Sequence, residues 1–322
     1  GTSLAVRRLL AVSVLVVFLA ALFQPVLIAV RGHPDLDLGR QWTAHDYGFY
    51  ALRQPLPDSA TIVGVLGEMT LLRYFQETVG LRPDIETLAA DDEAARHRAV
   101  QAALERGSAV YITRPLPGLG EDHSLSAVIG MIDVAGELQT LMRVDSPEYD
   151  VPDLPRSVDE TPLTGLELLG YGVRQHVGHW QAWARLKLWW RAPQGLDEPL
   201  RISARLQDGR GLTVAATDAE PVSGAYPTTL WRAGQVVADA YEIPLPPGLP
   251  PGEYTPMVVI YEPDTGIERS RIELAPVHLE GNPARPPRRA LEASVDQGVY
   301  ARFGDVELLG FSAPGTEAAL GP

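Results

Sequence analysis

No cysteine occurs anywhere in the 322 residues, which excludes a disulfide framework, a thiolate zinc site and a cysteine nucleophile. Basic charge is also in short supply. Lysine and arginine together number 27 against 41 aspartates and glutamates, for a formal charge of -14, and that balance lacks the basic footprint nucleic acid demands. The signatures of several enzyme classes are missing too. "GVLGEMT" (64–70) does not have the G-x-G-x-x-G spacing that lets backbone approach a pyrophosphate, and there is no Walker motif, G-x-S-x-G elbow, H-E-x-x-H pair or calcium loop. His176 and His179 stand three apart with no third ligand nearby, so they read as a solvent-facing loop pair and no metal site is expected. No cofactor is expected either.

Long apolar runs are confined to one place. Between Leu9 and Val30 only Ser13 and Gln24 are polar, and as a helix this run reaches roughly 33 Å, enough for a bilayer core. It is too long for the apolar part of a cleaved secretory signal, and Arg31 spoils the small-residue exit such a signal needs. Arg7 and Arg8 precede it while Asp35 and Asp37 come after it, so the positive-inside bias puts the N-terminus in the cytoplasm and the rest outside the cell membrane. The first residue is Gly rather than Met, so further spans are expected before Leu9.

The chain divides into blocks around this run. Residues 1–8 read as a cytoplasmic stub, 9–30 as a transmembrane helix and 31–57 as a membrane-proximal helix, with helical spacing of Tyr47, Tyr50, Ala51 and Leu52 stopping near Pro55. In 58–145, "ATIVGVL", "DIETLA" and "AVYITRP" alternate with helices ended by Gly80 and Gly107. That alternation predicts a small α/β domain on a parallel sheet, closed by a hairpin strand in "ELQTLMRV". Residues 146–162 are rich in proline and acid and read as a linker. Seven short alternating segments in 163–280 predict an immunoglobulin-like antiparallel β-sandwich. After a second linker at 281–298, the stretch 299–322 holds "FGDVELLGF", an echo of "LTGLELLGY" (163–171). It predicts the truncated start of a second sandwich. The expected fold class is therefore one transmembrane helix, a parallel-sheet α/β domain, a β-sandwich and the opening of another.

Two sets of residues are candidates for binding, and no residue is assigned a catalytic role. In an open parallel sheet, ligands sit beyond the carboxyl ends of the strands, where the chain offers Glu68, Thr70, Asp91, Asp92 and Arg114. Thr70 and Asp91 or Asp92 are better explained as helix N-caps. In "ARLKLWWR", alternation puts Ala184, Leu186, Leu188 and Trp190 on one face and Arg185, Lys187, Trp189 and Arg191 on the other. "LRISARL" likewise points Arg201 and Arg205 outward. Should the two strands pair, these residues form a basic, Trp-bearing patch for a phosphate headgroup, an anionic glycan or the membrane surface. The plainer reading is a solvated sheet face whose arginine stems cover Trp189. Trp180, Trp183, Trp231, Tyr226 and Tyr241 are candidates for sugar stacking or for ordinary packing.

Asp46-Tyr47-Gly48, the strand leading to Glu68 and Thr70, and then Tyr74, Gln76, Gly80, Arg82, Pro83 and Asp84 together resemble a segment of polytopic bacterial membrane proteins. The segment is the one just after the last span of proteins similar to protein O-mannosyltransferases. That resemblance implies the extracytoplasmic C-terminal part of a membrane glycosyltransferase, with a lipid bilayer, a polyprenyl-phosphate sugar and a glycan or protein acceptor as partners. The family's catalytic acid lies in an early loop outside this chain, so the resemblance implies accessory positioning rather than chemistry here. The alternative expectation is a single-pass membrane-anchored protein that binds glycans or serves as a structural part of the envelope.

Overall fold

The chain is described by a computed structural model over residues 42–134, 137–163, 165–178, 181–284, 297–304 and 306–311, with Gln24 alone before them. Contacts divide the chain after Trp42, and the architecture is that of Thr43 onward. Apart from Gln24, the expected span Leu9–Val30 lies outside the described residues. So do the stub before it, the segment 31–41 and most of the second linker.

The opening helix α1 (Thr43–Leu52) buries Tyr47, Ala51 and Leu52 almost completely, the helical stripe its spacing predicts. Three strands come next, β1 (Thr61–Gly64), β2 (Glu86–Ala89) and β3 (Val110–Ile112), joined by α2 (Leu66–Val79) and α3 (Glu93–Glu105). Both β2 and β3 pair parallel to β1. Gly80 ends α2 in the left-handed conformation, φ 68°, where a side chain would clash with its own backbone.

The parallel sheet expected here is a mixed one. After β3 the short helix α4 (Leu119–Asp122) leads into β4 (Ser124–Val134) and β5 (Glu137–Asp145), giving the order β2-β1-β3-β5-β4. Beyond β3 every pairing is antiparallel. A parallel return needs a crossover of a dozen or more residues packed across the sheet, whereas a four-residue helix cannot provide one. The fold class is corrected accordingly. The described chain is mostly β with four short helices, and no helix among the described residues is long and apolar enough to cross a membrane.

All seven predicted sandwich segments are strands. They are β7 (Leu166–Val177), β8 (Ala182–Arg191), β9 (Arg201–Gln207), β10 (Thr213–Ala219), β11 (Val236–Leu245), β12 (Gly252–Tyr261) and β13 (Glu268–Glu273), with β14 (Val277–Leu279) added to β12. An unexpected strand, β6 (Arg156–Leu163), occupies part of the predicted linker and pairs with β7. The linker reading failed because proline and acid are tolerated on an edge strand, whose outer side faces solvent. Two antiparallel sheets result, β11-β8-β7-β6 and β10-β9-β12-β13. Leu186, Leu188 and Trp190 face Ile202, Ala204, Leu206, Val258 and Ile260 in a shared core, all at most 1% exposed.

The mixed sheet does not stand apart on a linker. Its β4 lies against β11, and a Cβ placed on Gly130 would come within 2.4 Å of the Ala240 carbonyl oxygen. α1 covers the neighbouring end of β7 and β8. There the rings of Tyr50, His176 and Trp183 cluster, with His176 4.0 Å from Tyr50 and 5.3 Å from Trp183. From Thr43 onward, then, the chain stacks three sheets in layers.

At the expected second repeat the described residues give a two-stranded hairpin, β15 (Gln297–Phe303) and β16 (Val306–Phe311). The sequence echo is kept at the level of the turn, since Phe303 opposes Val306 as Leu163 opposes Leu166. Burial is not kept. Leu166 and Leu168 are in the core, while Val306 and Leu308 are 68% and 41% exposed.

Candidate functional site

β1 sends the chain to β2 on one side and to β3 on the other, which makes the carboxyl end of β1 a topological switch point. The predicted residues around it fall into two groups. Glu68 and Arg114 are brought together. Glu68 is 3% exposed, and its carboxylate accepts from Arg114 Nε at 2.5 Å, from the Val65 N–H at 3.4 Å and from the Thr113 hydroxyl. Gly64 makes room for this contact, because a Cβ there would lie 2.2 Å from Thr113 Oγ1. The cluster continues inward. Thr140 donates to the Thr113 carbonyl at 3.0 Å, and Tyr47 of α1 donates to the Thr140 carbonyl at 2.6 Å. Burial, then the Glu68 charge, pushes the Tyr47 phenol far up, so it stays a neutral donor.

Two of the other three serve helix ends. Asp92 accepts from Ala95 N–H at 2.8 Å as the N-cap of α3, and Asp91 accepts from Leu66 N–H at 2.8 Å, the first amide of α2. Thr70 is not a cap. Its hydroxyl donates back to the Leu66 carbonyl at 2.7 Å within α2. Asp92→Ala is expected to cost about 1 kcal/mol, the usual worth of an N-cap, read as a shifted urea midpoint with unchanged slope.

The expected basic patch divides between two sheets. β8 pairs with β7 and β11, whereas β9 pairs with β10 and β12, so Arg201 and Arg205 do not join Arg185, Lys187, Trp189 and Arg191. Strand order is a tertiary property that alternation within one strand does not fix. Arg191 pairs with Glu167 at 2.6 Å. Arg185 is largely covered, donating to Glu242 at 2.6 Å and to Gln54, just past α1, at 2.7 Å, with its guanidinium 4.8 Å above the Tyr50 ring. Trp189 is only 9% exposed, with Lys187 Nζ 5.0 Å from its ring. Trp183, Trp231, Tyr226 and Tyr241 are buried in packing, and Trp180 lies outside the described residues.

The loop-pair reading is corrected for His176, which sits in β7 under α1; His179 lies outside the described residues. Burial, helped by Arg185 and Arg53 against the pull of Asp46, lowers the His176 imidazole to about 4. The unfolded chain takes up a proton near pH 6.5 that the folded chain refuses until about pH 4, so stability falls as pH drops through that window. Partial exposure reduces the loss to roughly 1–2 kcal/mol. His176→Phe is expected to flatten the dependence between pH 6.5 and 4 in a series of urea melts.

Sequence reasoning missed Thr113, Gly64 and Thr140, which carry no motif and matter only because β3 and β5 bring them beside Glu68. It also missed Asp239, fully buried and held by the Val222 N–H, the Ala240 N–H and the Tyr241 hydroxyl. Burial raises its carboxyl to about 6. The turn presenting Val222 puts that residue and Ser223 at φ 51° and 56°, a rare state for a β-branched side chain.

No family model matches the chain, and no curated protein does. Among solved structures it is similar to a β-glucuronidase from glycoside hydrolase family 2, at 12% identity over 43% of this chain and 13% of that one, TM-score 0.26. A Bacteroides uniformis β-glucuronidase matches at 12% over 46% and 17%, TM-score 0.25. The C-terminal domain of wzt matches at 13% over 41% and 77%, TM-score 0.25. The chain spans a small part of those hydrolases, and likenesses this weak carry nothing about its activity.

Proposed function

We propose that this chain is an accessory module of a glycosyltransferase that uses a polyprenyl-phosphate sugar, working on the extracytoplasmic side. It holds the donor or the acceptor while the chemistry is carried by residues outside this chain. One observation carries the reading. Four of the residues behind the family resemblance, Gly48, Gln76, Arg82 and Asp84, meet in a single lock between α1, α2 and the β1–β2 connection. Gly48 lets α1 seat on Leu71 and Phe75, Gln76 donates to the carbonyls of Arg82 and Ile85, and Arg82 donates to those of Leu56 and Pro57 while pairing with Asp84 at 2.8 Å. Such a lock builds a stiff platform, and a positioning module needs stiffness to hold a substrate in one orientation.

The experiment is a calorimetric titration of the 322-residue chain with geranyl-phosphate mannose, free mannose and mannose-bearing acceptor peptides. Saturable binding of donor or acceptor supports the reading, and flat heats for all three defeat it. A purely structural envelope role is the second reading, favoured by the Arg185–Gln54 hydrogen bond that ties the end of α1 to the sandwich. It requires that no ligand bind at all.

A further inference from the structure

Lys187 is the only lysine in the chain, set among arginines that make up the rest of its 27 basic residues. The register puts it in unusual company. On the outer face of the sheet, Lys187 opposes Gly172 and Arg185 opposes Arg174. Cations directly across a ladder repel, and the diagonal neighbour is within reach of a long side chain. Glu242 neutralises Arg185. Arg143, on β5 of the mixed sheet, is paired with Asp145.

Arg174 and Lys187 are left over, with no acid pairing either of them among the described residues. The acid whose charge acts on Lys187 is Asp239, which opposes core-facing Leu188 on the inner face and is already held by three donors. Arg185 adds a buried Nη2 that has no hydrogen-bond partner. Arg174 is exposed and Lys187 partly so, so the cluster reaches solvent on the Arg174 side, while Pro155 fills the space over Gly172. Burial first, then the charges of Arg185, Arg174 and Arg143, lowers the Lys187 ammonium to about 8, as surplus positive charge in a half-covered site should.

We propose that Arg174 and Lys187, beside the covered guanidinium of Arg185, form a binding site for one phosphate group, with the Trp189 ring under the ammonium. A flat guanidinium and a compact ammonium on adjacent positions suit a tetrahedral oxyanion, and a bound dianion would neutralise the surplus charge. That the natural phosphate belongs to a lipid-linked sugar rests on the proposed glycosyltransferase role; phosphate binding itself does not.

A single lysine makes the test direct. In the 322-residue chain labelled with lysine carrying carbon-13 at Cε, one resonance reports Lys187, and its pH titration gives the pKa without assignment. Inorganic phosphate is expected to shift that resonance saturably and to raise the pKa by about one unit, because an anion favours the charged ammonium. Arg174→Gln, an exposed change checked for folding by amide dispersion, is expected to weaken binding about tenfold, the worth of one charge-assisted hydrogen bond. Farnesyl phosphate binding at least about tenfold tighter than inorganic phosphate, one such bond's worth of extra contact, identifies a lipid-linked source. Equal affinity leaves the phosphate site standing while removing its support for a lipid-linked donor. A resonance unmoved by phosphate, moved only by glucuronate, or shifted equally in Arg174→Gln overturns the site.

Discussion

Arg185→Ala is expected to destabilise the protein by about 3–5 kcal/mol, the penalty for leaving one member of a buried ion pair without its partner. Glu242 is 2% exposed and Arg185 provides its charge partner at 2.6 Å; burial alone already raises the Glu242 carboxyl. Without the guanidinium the acid must either stay charged in a poor solvent or take up a proton. The loss should therefore be larger at about pH 8 than at about pH 5, where protonating Glu242 relieves it. The double variant Arg185→Met with Glu242→Leu should recover most of the loss, since a well-packed apolar pair often equals a buried ion pair. Denaturant melts of the three proteins at both pH values measure this. A single variant losing under about 1 kcal/mol, the scale of a surface pair, would mean that water reaches the pair freely.

The second large effect is at Gly130. A β-carbon there would meet the Ala240 carbonyl oxygen at 2.4 Å and the Glu242 amide nitrogen at 3.0 Å. Both are backbone atoms of β11, fixed by pairing with β8, so no side chain can swing aside. Gly130→Ala must push β4 from β11, and overpacking of that kind costs roughly 3 kcal/mol. A glycine in open space is the control. Gly67, with nothing near its added Cβ, lies in the first turn of α2, and Gly67→Ala should leave the melt nearly unchanged or raise it slightly.

Much of this architecture is legible in the sequence, and the limits have identifiable causes. β8 and β9 are read correctly to the face, because alternation is a local property: Leu186 and Leu188, like Ile202 and Leu206, are buried as expected. Which strands lie side by side is decided by the whole fold, and so Arg201 and Arg205 ended on a different sheet from Lys187. The first three strands and two helices are explained by periodicity and glycine stops, but the antiparallel turn at β4 and β5 depends on the length of one connection. Asp92 as a cap was visible from its position before "EAARHR". Arg174 was not a candidate at all, since nothing in "GYGVRQHV" hints that this arginine faces another across the ladder.

The three-layer arrangement makes one claim that hydrogen exchange can judge directly. If the mixed sheet and the sandwich unfold as one body, the amides of Ile62 and Val63 in β1 and of Val258 and Ile260 in β12 should show the same opening free energy in the native protein. Gly130→Ala should lower all four by equal amounts. Sandwich amides that keep their full protection while those of β1 lose theirs would show two independent bodies, and a site built where α1, β4 and the β7–β8 face meet would lose its foundation.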